Sequence, residues 1–221
     1  MSQTLNEKEA RLEISFMTSA AGDGDLPDEV CAEVAIAGRS NAGKSSFLNR
    51  LAGRRQLARV SKTPGRTQLL NFFEVRGGGR LVDLPGYGYA KATKDAQAKW
   101  QQSVNSYLSF RDALVGVVLV MDIRHPFQAF DDELLSWSAE SQLPLHILLN
   151  KADKLKSGAR SSALLKARKR LQDATSVSVQ CYSAMTGLGQ LEAMAKIGTL
   201  LQAEVELSSE DLPPTPEPPI L

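Results

Sequence analysis

The sequence predicts an α/β three-layer sandwich: a six-stranded, mostly parallel sheet with one antiparallel edge strand and helices on both faces. Three observations predict it. Apolar runs suited to buried strands alternate with amphipathic helical stretches after one glycine-turned hairpin, the pattern of crossover-connected parallel strands. The 221 residues, 43% apolar and 23% charged, suit one packed domain with appended ends. A glycine-rich loop joins the first such strand to the first helix, as in folds that bind ligands at the carboxyl ends of their strands.

Taken in order, residues 1–30 form an N-terminal extension, in which Leu12-Glu13-Ile14-Ser15-Phe16-Met17 reads as a short extended segment leading into the polar loop Gly22-Asp23-Gly24-Asp25. The packed domain is expected over 31–206. Its first strand spans Glu33 to Ala37 and its first helix Lys44 to Leu51. Ala52 to Arg66 carries Arg54, Arg55, Arg59 and Lys62 with a Thr63-Pro64-Gly65 turn, and reads as a long loop. Gln68 to Val75 and Arg80 to Asp83 flank Gly77-Gly78-Gly79 as a hairpin. Trp100, Val104, Tyr107 and Leu108 lie at helical spacing over about 95–110. Leu114 to Met121 and Leu145 to Leu149 are near-continuous apolar runs, as strands buried on both faces should be, and Phe130 to Glu140 is the helix between them. A basic helix over Ala159 to Asp173, a strand over Val177 to Tyr182 and a helix over Leu188 to Glu206 complete the domain. Residues 207–221 hold five of the ten prolines and read as a proline-rich tail without packed structure.

Composition excludes several classes. No run approaches the roughly 20 apolar residues of a membrane span, and Met1-Ser2-Gln3-Thr4 does not begin a signal peptide, so a cytoplasmic, non-membrane, monomeric protein is expected. Cys31 and Cys181 lack metal-ligand spacing and read as buried thiols; His125 and His146 are too isolated for a metal site or a general base. The net charge of +1 is uneven: residues 1–35 set two bases against eight acids, and 203–221 carry five acids and no base, leaving +12 on the segment between. Such an excess suits an anionic partner larger than a nucleotide, RNA foremost, and equally a solvated basic surface.

The chemistry lies in the loops. Gly38-Arg39-Ser40-Asn41-Ala42-Gly43-Lys44-Ser45 fits G-x-x-x-x-G-K-[ST] directly behind Val34-Ala35-Ile36-Ala37. Successive backbone N-H groups of such a loop make an anion nest at a helix N-terminus; Lys44 can reach outer phosphates, and the Ser45 hydroxyl can ligate Mg²⁺. Taken alone, this is a phosphate cradle for an unspecified nucleotide. Asp83-Leu84-Pro85-Gly86 ends the third strand, where Asp83 can hold Mg²⁺ through water and the Gly86 N-H can face a γ-phosphate. Asn150-Lys151-Ala152-Asp153 ends the fifth. A carboxylate at Asp153 accepts from both the N1-H and the 2-amino group of guanine, whereas adenine offers neither donor there, and such sites reject ligands lacking the donor by roughly 10⁴ to 10⁵. The lysine stem packs along the ring. Ser183-Ala184, after Tyr182, ends the sixth strand, where a backbone N-H can meet the guanine carbonyl.

Together with Thr63-Pro64-Gly65-Arg66-Thr67-Gln68, the block Asp83 to Ala90 and the block Asp122-Ile123-Arg124-His125-Pro126, these motifs resemble the EngB (YihA/YsxC) family of bacterial GTP-binding proteins, among the TrmE-Era-EngA-EngB-like GTPases. The resemblance covers roughly 12–205 and departs at Asn150, where the family commonly has Thr, and at the proline-rich tail. It implies a P-loop NTPase fold binding GTP and GDP with Mg²⁺, hydrolysing GTP slowly, and assisting assembly of the large ribosomal subunit, with Ser46, Gly65, Arg66, Thr67, Gln68 and Leu69 joining the nucleotide-binding set. Lys44, Thr67 and Gly86 would serve catalysis, Thr67 closing a Mg²⁺ shell begun by Ser45 and Asp83. Asn41 matches the loop asparagine through which related GTPases coordinate K⁺. Tyr87 stands where Ras-type GTPases keep a water-orienting glutamine, a task its ring cannot perform. The ribosomal role would bring the bases of the basic helix, Arg160, Lys166, Arg168, Lys169 and Arg170, against rRNA, with Leu164, Leu165 and Leu171 turned to the core. Two rivals stay open: a metabolic P-loop NTPase, and a GTP-regulated factor of cell division and septation or of membranes.

Overall fold

The computed structural model describes residues 11–54, 56–58, 69–87 and 104–207. In chain order the elements are β1 (Ile14–Ala20), β2 (Glu33–Ala37), α1 (Lys44–Leu51), β3 (Leu70–Val75), β4 (Arg80–Asp83), α2 (104–110), β5 (Leu114–Asp122), α3 (Ala129–Glu140), β6 (Leu145–Asn150), α4 (Ser157–Arg170), β7 (Val177–Cys181) and α5 (Gln190–Leu207). The strands form one sheet in the order β1-β3-β4-β2-β5-β6-β7. From β4 through β7 all pairings are parallel, and β3 runs against both of its neighbours. The sheet thus has seven strands, one more than expected, and its reversed strand lies inside the edge.

The extra strand is β1, in the stretch expected to be a short extended segment. Only Ile14 and Ala20 at its ends are buried, and a register break between Phe16 and Thr18 interrupts the period-two signal. It is held by its ladder to β3, from Ile14 opposite Val75 to Ala20 opposite Leu70, and by the Phe16 ring edge-on to Phe73 at 5.8 Å.

The central strands need no alternation because both of their faces are covered. β2 and β6 are buried at every residue, and β5 at all but Val115 and Asp122. One face packs Tyr107, Leu134 and Ala167 of α2, α3 and α4; the other packs Phe47, Leu48 and Leu51 of α1 with Ala193, Ile197 and Leu200 of α5. α4 seats on Ala167, with Leu164 and Leu171 beside it, but Leu165 is 70% exposed, contrary to expectation. Residues 164, 167 and 171 share a stripe at 3.6 residues per turn, and 165 falls about 100° off it. Both cysteines are half-buried, so the expectation of fully buried thiols is corrected.

Glu33 and His146 are among the polar residues that the core encloses. Glu33 is fully buried at the start of β2 and accepts from Arg111 (2.7 and 2.9 Å), Arg80 (3.3 Å) and the Tyr107 hydroxyl (3.0 Å), tying the end of α2 to the sheet. His146 on β6 lies 2.8 Å from both Ser178 Oγ and Gln180 Oε1. Gln180 Nε2 donates to the Gly189 carbonyl, so its oxygen faces the ring; Nε2 of His146 carries the proton and Nδ1 accepts from Ser178. Burial brings the imidazole pKa from 6.5 down to about 4. A depressed histidine stabilises the fold above its unfolded pKa and loses that contribution as pH falls through the folded one. Unfolding free energy should therefore fall by about 3 kcal/mol between pH 6.5 and 4 through this residue. Denaturant titrations of wild type and His146→Gln check this, the variant lacking that part of the slope.

Candidate functional site

The carboxyl ends of β2, β4, β5, β6 and β7 converge, and the predicted motif loops leave from them. Where β2 ends, Gly38 turns at φ 149°, and Gly43 at φ 107° is the residue before α1. A Cβ on Gly43 would stand 2.3 Å from Asn150 Nδ2, so only glycine lets the phosphate loop pass under the β6 loop. Among the described residues no side chain caps the first turn of α1, whose N-H groups can therefore face a ligand. Ser45 lies half-buried on that turn, with Ser46 exposed beside it. Asn41, exposed at φ 64°, and the buried Ala42 complete the loop.

Lys44 is 8% exposed, and its ammonium donates to the Gly38 carbonyl at 3.2 Å across the loop mouth. Burial lowers its pKa, opposed by the charge of Asp83. Asp83 shows the mirror image: burial raises its carboxyl to about 6 against the pull of Lys44. Its Oδ1 is buried and has no hydrogen-bond partner among the described residues. An enclosed acceptor opposite a lysine, next to a helix N-terminus, suits a hydrated divalent cation accompanying phosphates. Gly86 lies against this pair, where a Cβ would come within 2.9 Å of Lys44 Nζ. Leu84 and Pro85 are buried behind it. The Tyr87 carbonyl accepts from the Ser40 amide at 2.7 Å, and Tyr87 bridges Arg39. The Tyr87 ring, 4% exposed, turns into the core against Phe130.

At the other end of the loop, Asn150 Nδ2 donates to the Ala42 carbonyl at 2.9 Å and Oδ1 accepts from the Ala184 amide at 3.3 Å, bracing phosphate loop, β6 and β7 together. Lys151, at φ 61°, donates to the Asn41 carbonyl at 2.6 Å and pairs with Asp122 at 3.0 Å. Asp122 is held well below the usual carboxylate range, first by the Arg124 guanidinium and then by Lys151. Asp153 accepts from the Ser183 hydroxyl at 2.7 Å, the main cause of its lowered pKa. Ala152 is buried, its amide bonded to the Tyr182 carbonyl at 3.0 Å. The Tyr182 side chain itself lies in the core, bonded to Gln190 at 2.6 Å, and meets the site only through its backbone. The Ser183 amide donates to Leu188.

Leu69 lies half-buried before β3, whereas Gly65, Arg66, Thr67 and Gln68 fall outside the described residues, as do Arg55, Arg59, Lys62 and Trp100. On α4, Lys166, Arg168, Lys169 and Arg170 are exposed and Arg160 half-buried. Sequence reasoning missed Asn49, whose carboxamide donates to the Ala58 carbonyl (3.0 Å) and accepts from its amide (2.7 Å), fixing the chain just before residues 59–68. An asparagine one turn after Ser45, set among Phe47, Leu48 and Leu51, was the available signal. It also missed the tie from Asp122 through Lys151 to Asn41.

The comparisons agree with this arrangement. A family model described as 50S ribosome-binding GTPase matches residues 33–151, more than half of the chain. The chain is 50% identical over 185 residues to a protein named GTP-binding protein EngB in Vibrio parahaemolyticus, covering 83% of this chain and 84% of that one. Its namesake in Thiobacillus denitrificans is 50% identical over 189 residues, covering 86% and 91%. Among solved structures, an EngB crystal structure superposes with a TM-score of 0.64 at 23% identity, covering 78% of this chain and all of that one, and shares the fold. Era in complex with MgGDPNP and nucleotides 1506–1542 of 16S ribosomal RNA does so at 0.62 and 20% identity, covering 84% and 59%. With a phosphate loop, an aspartate-to-glycine turn and an N-K-x-D loop meeting at the strand ends of that fold, this chain belongs to the EngB family of GTP-binding P-loop GTPases.

Proposed function

We propose that the chain is a slowly hydrolysing GTP switch that assists assembly of the large ribosomal subunit by binding its precursor. The observation that carries the switch is the meeting of Lys44, the buried Asp83 oxygen and the Gly86 backbone at one spot, where loss of a γ-phosphate would be felt. The loop amides and Lys44 hold the phosphates. Asp153, kept ionised by Ser183, selects guanine over adenine, which separates the chain from a metabolic NTPase. Ser45 and Thr67, with Asp83 through water, would hold Mg²⁺, which supplies charge neutralisation at the phosphates. With the Tyr87 ring in the core, water orientation falls to other groups, in keeping with a low intrinsic rate.

The ribosomal part is supported by the description of the matching family model and by the exposed bases of α4. Among the described residues no helix is long and apolar enough to cross a membrane, which favours this reading over a membrane-bound regulator. Asn41 is proposed as a K⁺ ligand in the hydrolysing state; a hydrolysis rate equal in Na⁺ and K⁺ would remove that role. The central test is sedimentation with purified large ribosomal subunits: enrichment with a non-hydrolysable GTP analogue over GDP, weakened and made less salt-dependent by reversing Lys166, Arg168 and Lys169 to Glu. Equal binding in both nucleotide states would remove the switch.

A further inference from the structure

Tyr87 occupies an unusual position between two parts of the molecule. Its backbone belongs to the phosphate site: its carbonyl accepts from Ser40 at 2.7 Å, it bridges Arg39, and the preceding Gly86 abuts Lys44. Its side chain belongs to α3. The ring lies on Phe130 with centroids 4.2 Å apart, and the hydroxyl donates to the buried Asp131 carboxylate. Asp131 is already committed: its other oxygen accepts from the Gln128 amide at 2.8 Å, closing the capping box that starts α3. One carboxylate therefore both caps the helix and receives the tyrosine. A shift of the Gly86-Tyr87 peptide cannot leave the α3 N-terminus unchanged without breaking a buried hydrogen bond.

The far side of the same turn touches the basic helix. Asp132 pairs with Arg170 of α4 at 2.7 Å, and the Arg170 guanidinium lies 4.6 Å above the Phe127 ring, one residue before the cap. Residues 127–132 thus carry the tyrosine on one side and the end of α4 on the other, through contacts among described residues only.

We propose that the Tyr87–Asp131 contact is a joint by which the Asp83–Tyr87 segment transmits nucleotide state to the start of α3 and, through Asp132 and Phe127, to Arg170 on the basic helix. The proposal rests on the switch reading above. Tyr87 acts as a positioning residue for Gly86 and touches no nucleotide itself. The last link is an exposed ion pair, which limits its effect on α4 to about fivefold, the ceiling of such pairs.

The test is amide hydrogen exchange on the full chain with GDP or a non-hydrolysable GTP analogue bound, followed over 127–134 and 166–171. In wild type, exchange over 127–134 should differ between nucleotides by about tenfold. Tyr87→Phe, which keeps the ring and removes the hydroxyl, should reduce that difference below about twofold when both nucleotides are held at saturation. Asp132→Asn, at a half-exposed site, should preserve the difference over 127–134 and remove the smaller one over 166–171. A nucleotide difference over 127–134 that persists in Tyr87→Phe, or is absent from wild type, overturns the joint. Sedimentation with ribosomal subunits separates this from the ribosomal role: nucleotide-independent binding alongside the expected exchange pattern removes that role and leaves the joint standing.

Discussion

Asp153→Asn is expected to weaken GTP and GDP binding on the order of 10³-fold, the scale on which an enclosed charged acceptor discriminates. The amide keeps an oxygen for the Ser183 hydroxyl, which now donates to Asp153 at 2.7 Å, so the loop should hold its shape. What changes is the other atom, which becomes a donor facing the N1-H and 2-amino donors of guanine. Two outcomes must go together in nucleotide titrations. Affinity for guanine nucleotides drops, and xanthosine diphosphate, with a carbonyl where guanine has the amine, binds the variant more tightly than GDP does. A loss of less than tenfold, or an unchanged preference among bases, would detach Asp153 from base recognition.

Asp83→Asn should have opposite effects on stability and function. Burial penalises the ionised carboxylate more than Lys44 supports it, so a neutral amide of the same shape should stabilise the nucleotide-free chain by about 1 to 3 kcal/mol at neutral pH. The sign with pH follows from the raised carboxyl, at about 6 in the fold against 3.8 unfolded. Such a group supports the fold below pH 3.8 and loses that support as pH rises through about 6, a decline the asparagine variant lacks. With Mg²⁺ and GTP the order reverses. The variant should lose about 10- to 100-fold in the Mg²⁺-dependent part of its affinity, the usual cost of removing an outer-sphere metal partner. Thermal unfolding of the free chain and nucleotide binding with and without chelator measure the two halves. A variant less stable when free would contradict the stored cost.

The sequence made the central strands and the motif loops legible for one reason: in both, the backbone environment dictates residue type. A strand covered on both faces must be apolar throughout, and a loop at φ 107° under an asparagine must be glycine. β1 escaped because a mostly exposed edge strand imposes no such demand, and Leu165 because a periodic leucine is as compatible with solvent as with the core. At the site, individual residues were readable and their long-range partners were not. Asn49 to Ala58, Lys151 to Asn41 and Tyr87 to Asp131 depend on how elements are set against one another, and no spacing in the chain encodes that.

β1 has a practical consequence. It is the open margin of the sheet, and its seven residues, Ile14-Ser15-Phe16-Met17-Thr18-Ser19-Ala20, contain neither a charge nor a proline. Phe16 is 52% and Met17 37% exposed. Strands of that composition are templates for a second chain, and the irregularity between Phe16 and Thr18 is a device that spoils their register. Concentrated stocks are therefore most at risk of fibrous self-association along this margin, and a lysine at the outward-facing Met17 is the substitution that would improve handling without touching the nucleotide site.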